Sequence, residues 1–186
     1  MDIIKIIKER RSVRKYKKDP VPDEVILDII DAAGAAPSWA NTQVSRYIVV
    51  KDQKIKELLS DTLTPTNPAR AALVEAPVAI CIVAKRGVSG FYRGEPSTDK
   101  EGYWFMFDAG IAMEHLVLMA WNFGLGTVHV GAFDAKKAEA VLGIPEGFSI
   151  VEMTPIGYFD EIPKPTPRKK LEEIIYIDSF GKPFVK

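Results

Sequence analysis

Residues 77–84, Pro-Val-Ala-Ile-Cys-Ile-Val-Ala, decide the fold class. After Pro77 the run is apolar throughout and rich in β-branched residues. That pattern predicts a strand covered on both faces, not one with a wet side. Downstream, Tyr103–Phe123 is mostly apolar and long enough for a central helix, with Gly124 as its natural C-cap. Further strands are predicted at Arg46–Lys51 (RYIVVK), Thr127–Val130 and Ser149–Tyr158. Asp2 caps a short opening helix with Ile3, Ile4, Ile6 and Ile7 on one side. A second helix starts at Asp23-Glu24, buries a stripe of Ile26, Leu27, Ile29, Ile30 and Ala33, and stops at Gly34 and Pro37. Gln53–Asp61 is a helix with Ile55, Leu58 and Leu59 inward, and shorter helices follow at Ala69–Glu75 and Ala135–Leu142. Residues 171–177 form a last strand or an arm. This mixed order predicts an α+β fold, with helices covering a sheet of four or five strands.

The chain has 186 residues, 47% of them hydrophobic and 27% charged, which suits one globular domain over residues 1–186. No linker or repeat divides it. The formal net charge is +0 and the isoelectric point about 6.8, so the whole chain is not a basic nucleic-acid binder. Charge is unevenly spread, however. Residues 1–18 hold eight Lys/Arg against Asp2 and Glu9, a local net of +6. Cys81 is the single cysteine, which excludes an internal disulfide, CxxC redox chemistry and a Cys-rich zinc site. It sits inside the apolar run, as an inert core thiol would. No signal-peptide core opens the chain, and no apolar run reaches the roughly 18 residues of a membrane span. The expected setting is cytoplasmic, with no membrane or nucleic-acid partner and no metal.

Several common sites are missing. There is no GxxxxGK[ST], no complete GxGxxG and no GxSxG. Asp108, Glu114 and His115 lie on the long helix and read as hydrogen-bonded structural groups or interface contacts. His129 reads as a packed strand residue, and no catalytic acid or base is assigned. Arg10-Arg11-Ser12-Val13-Arg14 is more telling. Three guanidinium forks and a hydroxyl within five residues match the oxygens of a phosphate. Arg168-Lys169-Lys170 adds a second basic cluster near the other end. The two read either as solvated patches or as converging halves of a dianion site. Between them, Pro37-Ser38-Trp39-Ala40-Asn41-Thr42-Gln43 forms a polar turn before a strand, able to meet hydroxyls or a heterocycle edge.

Taken together, these segments resemble the FMN-dependent nitroreductase family. RRSVRKY after the opening helix is similar to that family's phosphate-binding start. APSWANTQ followed by RYIVV resembles its Pro-Ser-x-x-Asn-x-Gln turn and first long strand. GLGTVHVG with VLGIPEGFSIVEMTPIGY, and PTPRKKLEEI, resemble its later blocks in the same order, over about residues 1–177. One departure is Val44-Ser45, where Pro-Trp is common; it alters a wall near the flavin.

The resemblance implies a central, mostly antiparallel sheet flanked by helices. It also implies a homodimer that exchanges its C-terminal extensions and holds two FMN sites at the interface. Carried over by position, Arg10, Ser12, Arg14 and Arg168 hold the phosphate, with Arg11 along the same cofactor-binding stretch. Pro37, Ser38 and Asn41 meet the isoalloxazine or ribityl chain, and Val130 and Gly131 offer backbone groups near N5. The implied activity is ping-pong reduction of small electron-poor acceptors, such as nitroaromatics or quinones, by NADH or NADPH. The same blocks also fit a redox sensor, reductive dehalogenation, flavin fragmentation or ring dehydrogenation. Residues 85–102 form a glycine-rich loop whose Phe91, Tyr92 and Arg93 are expected to gate the acceptor.

Overall fold

The computed structural model describes residues 2–100 and 102–184; Met1, Glu101, Val185 and Lys186, the ends of the expected domain and one residue of the expected loop, lie outside the described residues. Its sheet runs in the order β1 (Ser45–Val50), β2 (Val78–Lys85), β6 (Phe148–Gly157) and β5 (Gly126–Thr127), antiparallel at every pairing. The helices are α1 (Ile3–Glu9), α2 (Asp23–Gly34), α3 (Gln53–Ser60), α4 (Ala69–Glu75), α5 (Trp104–Asn122) and α6 (Ala135–Leu142).

The apolar run is buried because it feeds two cores. Side chains alternate across a strand. Val78, Ile80, Ile82 and Ala84 therefore enter the core under α2 and α5, among Ile29, Met113, Leu116 and Ala120. Ala79, Cys81 and Val83 enter the opposite core, among Leu59, Leu73 and Ala138 of α3, α4 and α6. Against β6 the register slips between Ile82 and Val83, so Val151 is the extra residue of a bulge. Burial pushes the Cys81 thiol up to about 12, which makes it the inert core group expected.

A further pairing places the arginine stretch. After α1 the chain runs beside β5, where the Val13 N–H donates to the Thr127 carbonyl at 2.8 Å and Ser12 bridges Thr127 in parallel. A Cβ on Gly126 would lie 2.6 Å from the Val13 Cβ, so glycine is what admits this approach. Tyr16 locks the far end by donating to the Val13 carbonyl at 2.7 Å. Burial raises its hydroxyl well above the usual tyrosine range.

Two expectations need correction, at Leu27 and Leu58 and at the 127–130 strand, and two others are made specific. In α1 only Ile6 is buried, while Ile3, Ile4 and Ile7 are exposed. Leu27 and Leu58 also face outward, because α2 and α3 each turn a narrower stripe inward than their apolar residues allow. The strand expected at 127–130 pairs only at Gly126–Thr127, with a separate bridge from Val130 to Met153. Residues 171–177 form a one-turn 3-10 helix at Leu171–Glu173 and a Tyr176–Pro183 bridge, so they are an arm and not a strand of the sheet. The 85–102 loop contains a small hairpin of β3 (Phe91–Tyr92) and β4 (Glu95–Pro96). Among the described residues no helix is long and apolar enough to cross a membrane.

Candidate functional site

Arg10 and Arg11 sit where α1 ends. Arg11 uses its Nη1 to cap that end, donating to the Lys8 carbonyl at 2.8 Å and the Arg10 carbonyl at 2.7 Å. Its Nε is buried with no partner among the described residues, and so is the Nη1 of Arg10. An unpartnered buried guanidinium N–H costs free energy that an incoming anion would recover. Ser12 and Arg14 follow on the same stretch, and Arg14 stays exposed, its Nη1 3.4 Å from the Ser12 carbonyl. Ser12 to Tyr16, with Asp160, Glu161 and Pro163 of the departing tail, line a cleft of about 440 Å³. Two guanidinium N–H groups without partners among the described residues, a hydroxyl and an exposed arginine are a donor set that fits a phosphate monoester.

The polar turn is strained and tied down. Ala40, Asn41 and Gln43 all adopt positive φ, at 42°, 56° and 48°. Non-glycine residues rarely take this left-handed conformation and hold it only when surroundings impose it. Asp108 of α5 imposes it from below. Its Oδ1 accepts from the Trp39 N–H at 3.0 Å, and its Oδ2 accepts from the Ser89 hydroxyl at 2.6 Å. Above it, Trp39 packs on Trp104 with ring centroids 4.8 Å apart. Ser38 Oγ accepts from the Gln43 N–H at 3.0 Å, and Asn41 Oδ1 from the Gln43 side-chain amide at 3.1 Å. Pro37 and Ser38 line a second cleft, of about 110 Å³, with Arg46, Tyr47 and Asp108. The expected structural role of Asp108 is therefore realised, and the bond to Ser89 also ties the start of the 85–102 loop to this turn.

Val130 is buried in the core under α3, α4 and α6, whereas Gly131 faces open space. Between β5 and Val130, His129 points the other way and is not the packed strand residue expected. Its Nδ1 bonds the Glu152 carboxylate of β6, and its Nε2 lies 3.6 Å from Glu114 of α5. These carboxylates, Glu114 foremost, raise the imidazole to about 9, so it is a cation at neutral pH. Glu114 in turn lies 3.9 Å from the Arg10 Nε and is held below the usual carboxylate range, chiefly by His129. His115 has a separate role, with Nδ1 3.2 Å from the Ala32 carbonyl of α2.

Among the sequence-derived candidates, Arg10 and the Val130–Gly131 segment thus meet through Glu114 and His129. The polar turn does not join them within one chain. Asp108 and Glu114 are six residues apart on α5, about 9 Å along its axis and on different faces. Arg168 also stands apart: its Nη1 donates to Thr166 Oγ1 at 2.7 Å, and among the described residues no hydrogen bond links it to residues 10–14. Sequence reasoning missed the partners of Asp108, Trp39 and Ser89, and the chain Arg10–Glu114–His129–Glu152. A diagonal cross-strand pairing creates the His129–Glu152 contact, and only the register reveals it. Among the described residues no group of His, Cys, Asp or Glu is arranged to hold a metal.

The model of the nitroreductase family matches residues 7–158. An NADH dehydrogenase of Thermus thermophilus is 29% identical over 191 residues, covering 90% of this chain and 91% of that one. A crystal structure of a nitroreductase family protein from Clostridium novyi NT superposes with a TM-score of 0.77 at 32% identity, covering 99% and 97% of the two chains. An oxidised iodotyrosine deiodinase bound to FMN and 3-iodo-L-tyrosine shares the fold, with a TM-score of 0.78 at 20% identity over 96% and 100%.

Proposed function

The chain belongs to the nitroreductase family, and from that premise we propose that it binds FMN and reduces small electron-poor acceptors, such as nitroaromatics or quinones, with NADH or NADPH as donor. The observation that carries the proposal is the pair of orphaned, buried guanidinium nitrogens on Arg10 and Arg11, beside Ser12. They suit the terminal phosphate of a mononucleotide, and the sequence has no dinucleotide fingerprint that would favour FAD. Arg10, Arg11, Ser12 and Arg14 hold the phosphate. Gly131 presents its backbone to the flavin ring, with open space around it for that approach, whereas the Val130 N–H and carbonyl expected there are both taken by Met153, at 2.9 and 3.0 Å. When bound, FMN supplies the redox chemistry that no side chain here can. The protein's own part is to position it, exclude water and admit donor and acceptor in turn, which gives ping-pong kinetics.

The functional unit in this reading is a homodimer. The turn that carries Pro37, Ser38 and Asn41 is tied to Asp108, on a different face of α5 from the Glu114 that meets Arg10, so in this reading it serves the site of a partner. Arg168 reaches a site by the same exchange, on a tail that follows β6 largely exposed. Ile3, Ile4 and Ile7 on α1, Met106 and Phe107 on α5, and Leu171, Ile174 and Phe180 on the tail supply the apolar contact surface. The relatives named an NADH dehydrogenase and an FMN-bound deiodinase support the donor and the cofactor.

Anaerobic stopped-flow mixing of the FMN-loaded protein with NADH, then NADPH, tests the activity. Bleaching of the flavin absorbance by one donor, followed by recovery with a quinone or nitroaromatic, is the expected result. A protein that neither donor bleaches is not this enzyme.

A further inference from the structure

Arg10 raises a problem that the phosphate reading alone does not solve. An arginine held by a carboxylate is oriented, but it is also neutralised, and a neutral pair attracts a phosphate dianion poorly. Glu114 lies at the Nε side of Arg10, at 3.9 Å, while the buried Nη1 is left free. Glu114 is in turn approached at 3.6 Å by His129, whose other nitrogen bonds Glu152. Arg10 after α1, Glu114 on α5, His129 after β5 and Glu152 on β6 thus alternate in sign and sum to zero. His115, next to Glu114 on α5, is the remaining titratable group close enough to bias that carboxylate.

We infer that His129 is a fixed cation that offsets Glu114, so that Glu114 orients Arg10 without cancelling the charge Arg10 presents to the cofactor phosphate. This rests on the FMN reading above. His129 is a positioning residue here: it acts through Glu114 and Arg10, not on the acceptor. Both ring nitrogens face carboxylates, Nδ1 in a hydrogen bond to Glu152 and Nε2 in an ion pair 3.6 Å from Glu114. Removing its charge leaves two carboxylates against one arginine, a local net of −1 beside the phosphate.

The test titrates FMN, and in parallel riboflavin, into the cofactor-free protein and follows flavin fluorescence. His129→Gln is expected to weaken FMN binding by roughly tenfold and to leave riboflavin, which has no phosphate, unchanged. Adding Glu114→Gln to that variant restores most of the loss, because the excess negative charge goes with it. In the wild type FMN affinity falls as pH rises through about 9, where the imidazolium loses its proton, and His129→Gln lacks that step. NMR of the cofactor-free protein reads the same group directly: the His129 ring titrates near 9, and its midpoint drops in Glu114→Gln. Wild-type FMN affinity in His129→Gln, an equal loss for riboflavin, failure of Glu114→Gln to rescue, or a His129 ring that titrates at an ordinary imidazole pH each overturns the inference. Failure of the wild type to bind FMN overturns the parent reading and this one with it. FMN binding that is indifferent to His129 overturns this one alone.

Discussion

Arg10–Arg14 and Arg168–Lys170 have similar composition and opposite surroundings. The first stretch is placed by its own chain: Val13 bonds Thr127, Gly126 makes room, Tyr16 bonds back to Val13, and Glu114 flanks Arg10. The second lies on an exposed tail, where among the described residues Arg168 hydrogen-bonds only the Thr166 hydroxyl, two residues before it. The contrast teaches that a run of basic residues is not in itself a site. Burial and unmet hydrogen bonds set the first stretch apart, and they are why the anion site is proposed there and not on the tail alone.

The sharpest way to probe that difference is to remove one arginine from each stretch. A charge-assisted hydrogen bond contributes about 1.5–3 kcal/mol. Arg10→Ala should therefore weaken FMN binding by roughly ten- to a hundredfold at any protein concentration. Arg168→Ala should cause a comparable loss only where the protein is dimeric by sedimentation. An Arg168 effect that persists in dissociated protein would show that the tail folds back on its own chain.

Gly126→Ala attacks the anchoring of the first stretch. The added Cβ meets Val13 too closely to be absorbed without a shift, and overpacking of this kind costs about 1–3 kcal/mol. Thermal unfolding should move down accordingly, with FMN affinity falling alongside. An unchanged melting temperature would mean that the approach of Val13 to β5 is slack.

Between pH 6 and 10 the stability of the cofactor-free protein should also report on this side of the molecule. The folded-state value of His129 is raised, so its contribution is fully present below about 6.5 and is lost as pH rises through about 9. The melting temperature of the wild type should decline across that window more steeply than that of His129→Gln. Parallel curves would remove His129 from the stability balance.

The smallest expected effect belongs to the hairpin. Phe91 packs against Gly102, whereas Tyr92 is exposed with the Arg93 guanidinium 5.2 Å from its ring centre. The gating role expected of this segment therefore rests on Tyr92. Tyr92→Ala should change KM by a few-fold between flat and non-planar acceptors, in line with a modest aromatic contact, and leave FMN affinity untouched. Identical constants across a panel of quinones and nitroaromatics would make the hairpin a simple connection.

The fold was legible where composition and period agreed. The run at 77–84 could only be a buried strand, and α5 could only be central. Leu27 and Leu58 misled because an apolar residue at helical spacing looks the same whether it meets its own core or a free surface. The hairpin turns on Arg93-Gly94, both left-handed, and was hidden because Arg93 fills the first of those positions where Asn, Asp or Gly would have marked the turn. The candidate site could be proposed from residue types: the arginines, the polar turn and the glycine at the strand end. Its electrostatics could not, since Glu114, His129 and Glu152 come together only when α5 and β6 close over the end of α1.

The central claim is that the arginine stretch exists to grip a phosphate. Calorimetric titration of the cofactor-free wild type with FMN and with riboflavin tests it most directly, since the two ligands differ by that group alone. At least two charge-assisted bonds separate them, so FMN should bind more tightly by about a hundredfold or more. Equal affinity for the two ligands would contradict the account, and with it the role given to Arg10 and Arg11.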